Sequence, residues 1–228
     1  DDGQLRATVS ASKISNIYNL SYQLTPWAEG TFRYTIPNPR DMESSFDSVK
    51  DRSYGAKIRL LKESYLFPQI AIGIKDIVGT GVWNGEYLVG SKRMGDLDLT
   101  LGMGWGRFAE RHRVKNPLSF LSSKFEFRPG DDTGPGGAAR GNSFFTGPVG
   151  FFGGASYEFR KLQLTLLAQY NSDSYEREIS FGTLKPGNPW SYGFEWGFLK
   201  DAKLSVSHQQ GQFVGLRIST HLDTKKII

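Results

Sequence analysis

Residues 97–105 read Leu-Asp-Leu-Thr-Leu-Gly-Met-Gly-Trp, with an apolar side chain at every second position. Side chains on a β-strand point alternately to opposite faces, so this stretch predicts a strand with one apolar face and one polar or glycine face. The same alternation runs through residues 18–24 and 162–170. Repeated along the chain, it predicts an all-β protein of about twelve strands and brings a membrane β-barrel into view.

The connections between the predicted strands differ in length from one side to the other. We predict strands near residues 5–11, 17–24, 29–36, 52–61, 69–78, 87–93, 96–105, 150–159, 162–171, 191–198, 202–208 and 213–220. From the second junction onward, tight turns such as 94–95 mostly alternate with longer segments, of which 106–149 is the longest. Outer-membrane barrels have short periplasmic turns and longer external loops. We therefore predict that residues 1–228 form one antiparallel transmembrane β-barrel domain with a long loop at 106–149.

The overall composition is compatible with a membrane barrel but does not distinguish it from a soluble all-β protein. No stretch approaches the roughly 18 consecutive apolar residues that a transmembrane helix needs. The 27 glycines and the 14% of aromatic residues suit a barrel with aromatic girdles, and they equally suit a soluble all-β protein. The chain has no cysteine, which excludes disulfides and Cys-based metal sites. A net charge of +5 is compatible with acidic partners but is not specific for them.

Alternation alone does not say which face of the sheet is buried. Three features favour an apolar face turned to lipid. The opposite face carries many glycines, it also carries long charged side chains of both signs, and Tyr and Trp residues such as Trp105 and Tyr170 lie near strand ends. Tyr and Trp prefer the membrane–water interface because an apolar ring there carries a polar group. A soluble sandwich or lipocalin-like barrel, with the apolar face inside, stays open as the alternative.

Several stretches resemble the YjbH/GfcD-like family of outer-membrane exopolysaccharide and capsule proteins. The similar segments are the opening Asp2-Gly3-Gln4-Leu5-Arg6, the Pro26-Trp27-Ala28-Glu29 hairpin that leads to Arg33-Tyr34, residues 68–81, residues 86–106, and residues 170–178. This resemblance implies a barrel in the outer membrane of a Gram-negative bacterium and a part in the export or assembly of an extracellular or capsular polysaccharide. It transfers no catalytic residues. Members of the family are longer, so the chain is a possible fragment of a larger protein.

Basic side chains on the predicted inner face form the candidate ligand-binding set. They are Arg33, Lys57, Arg59, Lys75, Lys92 and Arg217. The long loop adds Arg107, Arg111, Arg113, Lys115, Lys124, Arg128 and Arg140. Fixed positive charge in a lumen or at its mouth concentrates and orients an acidic polymer. The alternative is that these cations pair with Glu29, Asp98, Glu158 and Glu195 and fill a closed interior.

The sequence offers no candidate catalytic or metal site. His112, His208 and His221 have no metal-ligand spacing to one another or to a carboxylate cluster, and no nucleophile elbow is present. We therefore expect a protein that is not an enzyme and has no cofactor, with outer-membrane lipid, polysaccharide and other polysaccharide-secretion proteins as partners and without nucleic acid. The alternatives are an outer-membrane enzyme, a scaffold barrel without a pore, and a soluble all-β binding module. The sequence leaves open whether residues 106–149 plug the lumen.

Overall fold

The fold is known from a computed structural model, which describes residues 3–38, 50–129, 138–139, 143–180 and 184–226. The strands lie close to the predicted boundaries, and the two-residue β8 is an addition to them. The strands are β1 (Gln4–Ser12), β2 (Ser15–Thr25), β3 (Ala28–Pro37), β4 (Asp51–Leu61), β5 (Gln69–Gly79), β6 (Gly85–Met94), β7 (Leu97–Gly104), β8 (Ala138–Ala139), β9 (Gly150–Phe159), β10 (Leu164–Tyr170), β11 (Trp190–Leu199), β12 (Ala202–Gln209) and β13 (Phe213–Asp223).

The sheet closes on itself. Apart from β8, each strand pairs antiparallel with the strand before it and the strand after it, and β1 pairs with β13 so that Val9 lies opposite Ile218. Twelve strands therefore form a closed barrel without a free edge, as predicted. The short β8 lies outside this ring and pairs only with the end of β5. Among the described residues, no helix is long and apolar enough to span a membrane.

The two ends of the barrel carry different connections, as the loop lengths predict. One end, called here the short-loop end, carries the start of β1, the end of β13 and the connections 26–27, 62–68, 95–96, 160–163 and 200–201. The opposite, long-loop end carries the connections 13–14, 38–50, 80–84, 105–149, 171–189 and 210–212. The described part of 105–149 contains three short 3-10 helices, at Gly106–Ala109, Pro117–Phe120 and Ser123–Phe125. The 171–189 connection contains one short α-helix, α1 (Glu176–Ser180).

The apolar face points outward, which confirms the predicted sidedness. Leu99 and Leu101 are exposed on the outside of the barrel, and Leu101 keeps 69% of its surface accessible. Lys57 and Arg217 point to the inside and line a central cavity. A soluble barrel would bury the apolar face instead, so this arrangement is that of a membrane barrel.

One side of the interior is apolar and tightly filled, because the long loop enters it there. The ring of Phe108 lies inside the barrel with its centroid 5.7 Å from that of Tyr87 and 5.5 Å from that of Phe152. Glycines on the facing strands make room for these rings. A Cβ at Gly73 would lie 2.3 Å from the Tyr87 ring, and one at Gly102 would lie 2.4 Å from the Phe152 ring. The inward glycines of β5 and β7 are therefore a packing requirement of this aromatic cluster.

The prediction that Lys92 faces the interior is wrong. Lys92 lies opposite Leu99 on the neighbouring strand, and Leu99 points outward. Its Nζ reaches out to the backbone carbonyls of Ser64 and Tyr65 in the 62–68 connection, with the Tyr65 contact at 3.0 Å. The physical reason is that β6 turns Tyr87, Val89, Ser91 and Arg93 inward. Toward the long-loop end this inner face carries Tyr87, which packs in the aromatic cluster, so the strand does not follow a uniform polar-inside pattern.

Candidate functional site

A cavity of about 630 Å³ lies inside the barrel, and Tyr87 and Phe108 of the aromatic cluster form part of its wall. Its walls come mainly from β1–β5 and β10–β13, which contribute Ser and Thr hydroxyls, Asn19 and Gln169. The charged residues that line it are six basic ones, Arg6, Arg33, Lys57, Lys75, Arg107 and Arg217, and four acidic ones, Glu29, Asp76, Asp173 and Glu178.

Four of the six predicted basic residues line this cavity. They are Arg33, Lys57, Lys75 and Arg217. Arg59 lies on the inner side of β4 opposite Ala71, but it is not part of the cavity wall, and Lys92 lies outside the barrel. Arg6 is a cavity residue that the sequence reasoning missed, although the strict alternation of β1 places it on the same face as Thr8 and Ser10.

Two of the four predicted acidic partners pair with cations outside the candidate set. Glu195 pairs with Lys203 on the adjacent strand at 2.7 Å, and Glu158 pairs with Arg93. Glu29 lies opposite Lys57 in the β3–β4 ladder, yet the two side chains form no ion pair. The alternative in which these carboxylates neutralise the candidate set is therefore not what the described residues form.

Four of the six basic residues that line the cavity form no ion pair with the described residues. Within the described ranges, no ion pair at 4 Å or less involves Arg33, Lys57, Lys75 or Arg217. The ammonium of Lys75 lies 4.5 Å from the centroid of the Phe108 ring, a cation–π contact. Arg217 Nε donates to Ser10 Oγ at 3.3 Å. Unpaired charge in a confined space gives a cavity with a fixed attraction for anions.

Arg107 joins the two long connections at the mouth of the cavity. Its Nε donates to Asp173 Oδ2 at 2.7 Å and its Nη2 donates to Glu178 Oε1 at 2.6 Å. The guanidinium also lies 5.2 Å from the centroid of the Tyr175 ring. Burial by itself lowers the pKa of Arg107, but the two carboxylates outweigh it and raise that pKa above its ordinary value. We call this group, Arg107 with Asp173, Glu178 and Tyr175, the mouth latch.

Further bonds hold the same two connections together. Glu110 Oε2 accepts hydrogen bonds from the Ser174 backbone N–H at 2.9 Å and from its hydroxyl at 3.1 Å. Arg111 Nη2 donates to the carbonyl of Gly187 at 2.9 Å, and Arg113 pairs with Glu176 at 2.7 Å. Burial, followed by the nearby charge of Asp173, raises the pKa of Glu110 to about 7.

Behind the mouth latch, Ile179 of α1 and Leu184 pack onto the barrel rim. Leu184 forms a small buried cluster with Ile14 and Phe213, and Tyr175 and Ile179 pack against that cluster. The latch therefore rests on an apolar base. The described parts of the two connections therefore narrow the lumen at its long-loop end.

The basic residues predicted at the mouth are largely neutralised. Besides Arg107 and Arg113, Lys115 pairs with Glu126 at 3.0 Å and Arg128 pairs with Glu86 at 2.8 Å. Arg140 lies outside the described residues. These four basic residues are therefore paired with carboxylates, of which Glu126 lies in the same loop and the others lie far away in the sequence.

In the part of the chain that the structure describes, no group of three or more His, Asp or Glu side chains is arranged to hold a metal ion. His221 Nε2 accepts a hydrogen bond from Arg6 Nε at 2.9 Å, and the His112 ring stacks on Tyr170 with centroids 6.5 Å apart.

Comparison with known sequences decides the family. The sequence model of the YjbH family, described as "Exopolysaccharide biosynthesis protein YbjH", matches residues 1–228. The chain belongs to the YjbH family. It is 34% identical over 215 residues to the "Uncharacterized lipoprotein YjbH" of Escherichia coli strain K12. That alignment covers 92% of this chain but 30% of the curated relative, so this YjbH-family chain spans less than a third of that protein's length.

Comparison with solved structures agrees with the barrel. The KdgM porin matches with a TM-score of 0.50 at 11% identity, over 96% of this chain and 97% of the porin. A structure of the KdgM porin in complex with disordered oligogalacturonate gives a TM-score of 0.49 at 9% identity, with the same coverage of 96% and 97%. At such identities the first likeness shows the fold alone. The YjbH-family chain is thus an antiparallel transmembrane β-barrel of porin type.

Proposed function

We propose that this YjbH-family barrel lies in the outer membrane of a Gram-negative bacterium and guides an acidic extracellular or capsular polysaccharide during its export or assembly. The short-loop end faces the periplasm and the long-loop end faces outward, as in other outer-membrane barrels. The role is one of binding and passage, without catalysis. Because the chain spans 30% of its curated relative, polysaccharide-secretion proteins and further parts of a longer chain are proposed as partners of the same assembly.

One observation carries the proposal. Arg33, Lys57, Lys75 and Arg217 face a cavity of about 630 Å³ and form no ion pair within the described part of the chain. Keeping four cations in a confined lumen without ion pairs is electrostatically unfavourable. A carboxylate-bearing sugar chain would supply the missing counter-charges, and many exopolysaccharides are acidic. Hydroxyl-bearing side chains between the cations offer hydrogen bonds to the sugar hydroxyls.

A scaffold barrel without a pore is the second candidate, and the mouth latch favours it. Arg107, Asp173 and Glu178 join the two long connections inside the lumen, and Phe108 fills part of its width. In this state the passage is narrow. Transport requires the contacts of the mouth latch to open, whereas a scaffold role does not.

Conductance and polymer block through the full chain separate the two candidates. In planar bilayers, a guiding lumen conducts anions in preference to cations, and polygalacturonate blocks the current while neutral dextran of the same length blocks it less. The variant Lys57→Gln/Lys75→Gln lowers both the anion preference and the block by polygalacturonate. A matched variant, Lys161→Gln/Lys200→Gln, removes the same charge from exposed positions at turns and leaves both unchanged.

One result would contradict the proposal that the barrel guides a polysaccharide. Heat-modifiable gel mobility first establishes that each variant is a folded barrel. A folded barrel that neither conducts nor binds polygalacturonate leaves the scaffold role alone.

A further inference from the structure

Two residues on the outer wall of the barrel are covered although their strand positions face lipid. Trp105 continues the outward series of Leu101 and Met103 and would normally belong to an aromatic belt, yet it is only 3% exposed. Glu86 lies opposite Ile74 on the outward side of β6 and is fully buried. Both lie at the long-loop end. Protein, and not bilayer, therefore covers the wall at this height.

The cover comes from the long 105–149 connection, which folds back over the outside of the barrel. The Phe145 ring packs edge-on against Trp105 with centroids 5.1 Å apart. Arg128 Nη1 and Nη2 donate to the two carboxylate oxygens of Glu86 at 2.8 and 3.0 Å. The backbone N–H of Phe145 donates to Glu86 Oε2 at 2.9 Å. A buried, charge-assisted pair of this kind holds its backbone in one place.

The covering segment is internally ordered. Val114 and Val149 form a two-way backbone bridge, with N···O distances of 2.9 and 3.0 Å. The buried Asn116 side chain donates to the carbonyls of Phe125 and Phe145 at 2.9 and 2.8 Å. We name residues 114–128 and 143–149 the rim unit. It is a small folded piece fixed to the outer wall.

The rim unit exposes three large apolar side chains close together in sequence. Phe120 is 82% exposed, Phe127 is 75% exposed, and Leu121 lies on the same short turn as Phe120. Phe127 directly precedes Arg128, which is anchored to the wall. Single exposed apolar residues are common on proteins, but a group of them on a rigid unit marks an interaction surface.

We propose that the rim unit lies on the outer surface of the bilayer, with Phe120, Leu121 and Phe127 inserted at the boundary between headgroups and acyl chains. The unit that carries these side chains is fixed to the lipid-facing wall through the contacts of Phe145 with Trp105 and of Arg128 with Glu86. Met103, two residues before Trp105 in the outward series, lies opposite the exposed Phe151, and Leu101 follows on the same face. The aromatic belt of this side of the barrel is thus supplied by the loop, because the loop has covered the belt position of β7.

A test follows from the absence of cysteine in the chain. Single variants Phe120→Cys and Phe127→Cys, labelled with a nitroxide, are reconstituted as full chains in vesicles of phosphatidylethanolamine and phosphatidylglycerol. The measured quantity is the collision rate with oxygen, which partitions into lipid, compared with that of a water-soluble nickel chelate. Leu101→Cys on the apolar wall is the lipid reference. Lys185→Cys, exposed on the other long connection, is the water reference.

The expected result is that labels at 120 and 127 resemble the label at 101 and collide severalfold more with oxygen than with the chelate. Labels that resemble the one at 185 overturn the proposal. Spin–spin broadening at low protein density would show contact between two copies and would also overturn it. The experiment requires no transport, so its outcome is independent of the proposed passage of polysaccharide.

Discussion

Replacing Arg107 by Met tests whether the mouth latch holds the long connections in place. Met keeps most of the volume of the side chain but removes its charge. Asp173 and Glu178, which now bond to the guanidinium, are left without their partner. The Arg107 side chain is only 9% exposed and that of Glu178 only 4% exposed, so water does not readily replace the lost contacts.

The expected magnitude follows from this burial. Removing one partner of a buried ion pair costs about 3–5 kcal/mol, because a buried charge is left uncompensated. At about 1.4 kcal/mol for each tenfold change, the opening equilibrium of the latch rises by a factor of roughly 10² to 4 × 10³. The strands do not depend on the latch, so the effect is local.

Native-state hydrogen exchange at neutral pH measures this opening. The reporting amides are those of Arg111, which donates to Ser172, and of Ile179, which donates to Tyr175, both at 2.9 Å. Their exchange rises by the stated factor, while amides of the β1–β13 ladder stay unchanged. The matched control is Arg113→Met, because the pair of Arg113 with Glu176 is about half exposed and contributes about 0–1 kcal/mol.

A triple variant tests whether the uncompensated charges cause the increased exchange. Arg107→Met combined with Asp173→Asn and Glu178→Gln removes the uncompensated charges as well as the cation. Replacing a whole buried ionic group by neutral side chains of similar size is close to neutral. The triple variant therefore restores most of the protection. Less than a threefold change in the single variant, or no recovery in the triple one, refutes the electrostatic account of the latch.

Three further outcomes follow from the structure. Because the pKa of Glu110 is raised from 4.5 to about 7, the folded state binds its proton more tightly than the unfolded chain does. The free energy of unfolding in urea therefore falls by roughly 1–3 kcal/mol between pH 5 and pH 8, and Glu110→Gln flattens that slope. Gly102→Ala overpacks the aromatic cluster and lowers the free energy of unfolding by roughly 1–3 kcal/mol. Phe108→Ala widens the lumen and raises single-channel conductance in planar bilayers.

The glycine prediction has a control variant, and each of the three predictions has a result that would contradict it. Gly90→Ala introduces a Cβ whose nearest atoms are 3.9 Å away, so its free energy of unfolding stays within about 0.5 kcal/mol of the parent protein. An equal loss in both glycine variants would contradict the packing argument. For Glu110, a slope that persists in the Gln variant assigns the pH dependence to another group. For Phe108, unchanged conductance places the narrowest point elsewhere.

The strands were predictable from the sequence because alternation is a local property. The outward direction of the apolar face was predicted from the glycines, charges and Tyr and Trp positions, and the sorting of loops was predicted from their lengths. The structure confirms both. Lys92 was not predictable in the same way. In β6 the inward residues include Tyr87, whose ring packs against Phe108 from the long loop. Alternation shows which residues of a strand share a face. It shows which face points inward only where the polarity of the interior is known.

The mouth latch was beyond the reach of sequence reasoning for a different reason. Arg107 and Glu178 are 71 residues apart, and they meet only after the barrel has closed and brought both connections to one end. The same holds for Arg128 and Glu86, separated by 42 residues. The sequence shows the excess of loop cations but carries no signal for which of them find carboxylates. Those in the lumen remain unpaired because inward positions of neighbouring strands offer them few acids.

The first and last strands meet in a way that has a consequence for engineering. The carbonyl of Gly3 accepts hydrogen bonds from the Thr224 backbone N–H at 2.9 Å and from its hydroxyl at 2.6 Å. Since these two residues touch, a short peptide can join them without deforming the ring. New ends can then be cut at residues 95–96, a tight turn on the same rim, to give a circular permutant. The order in which the strands are synthesised is therefore separable from the shape they finally adopt.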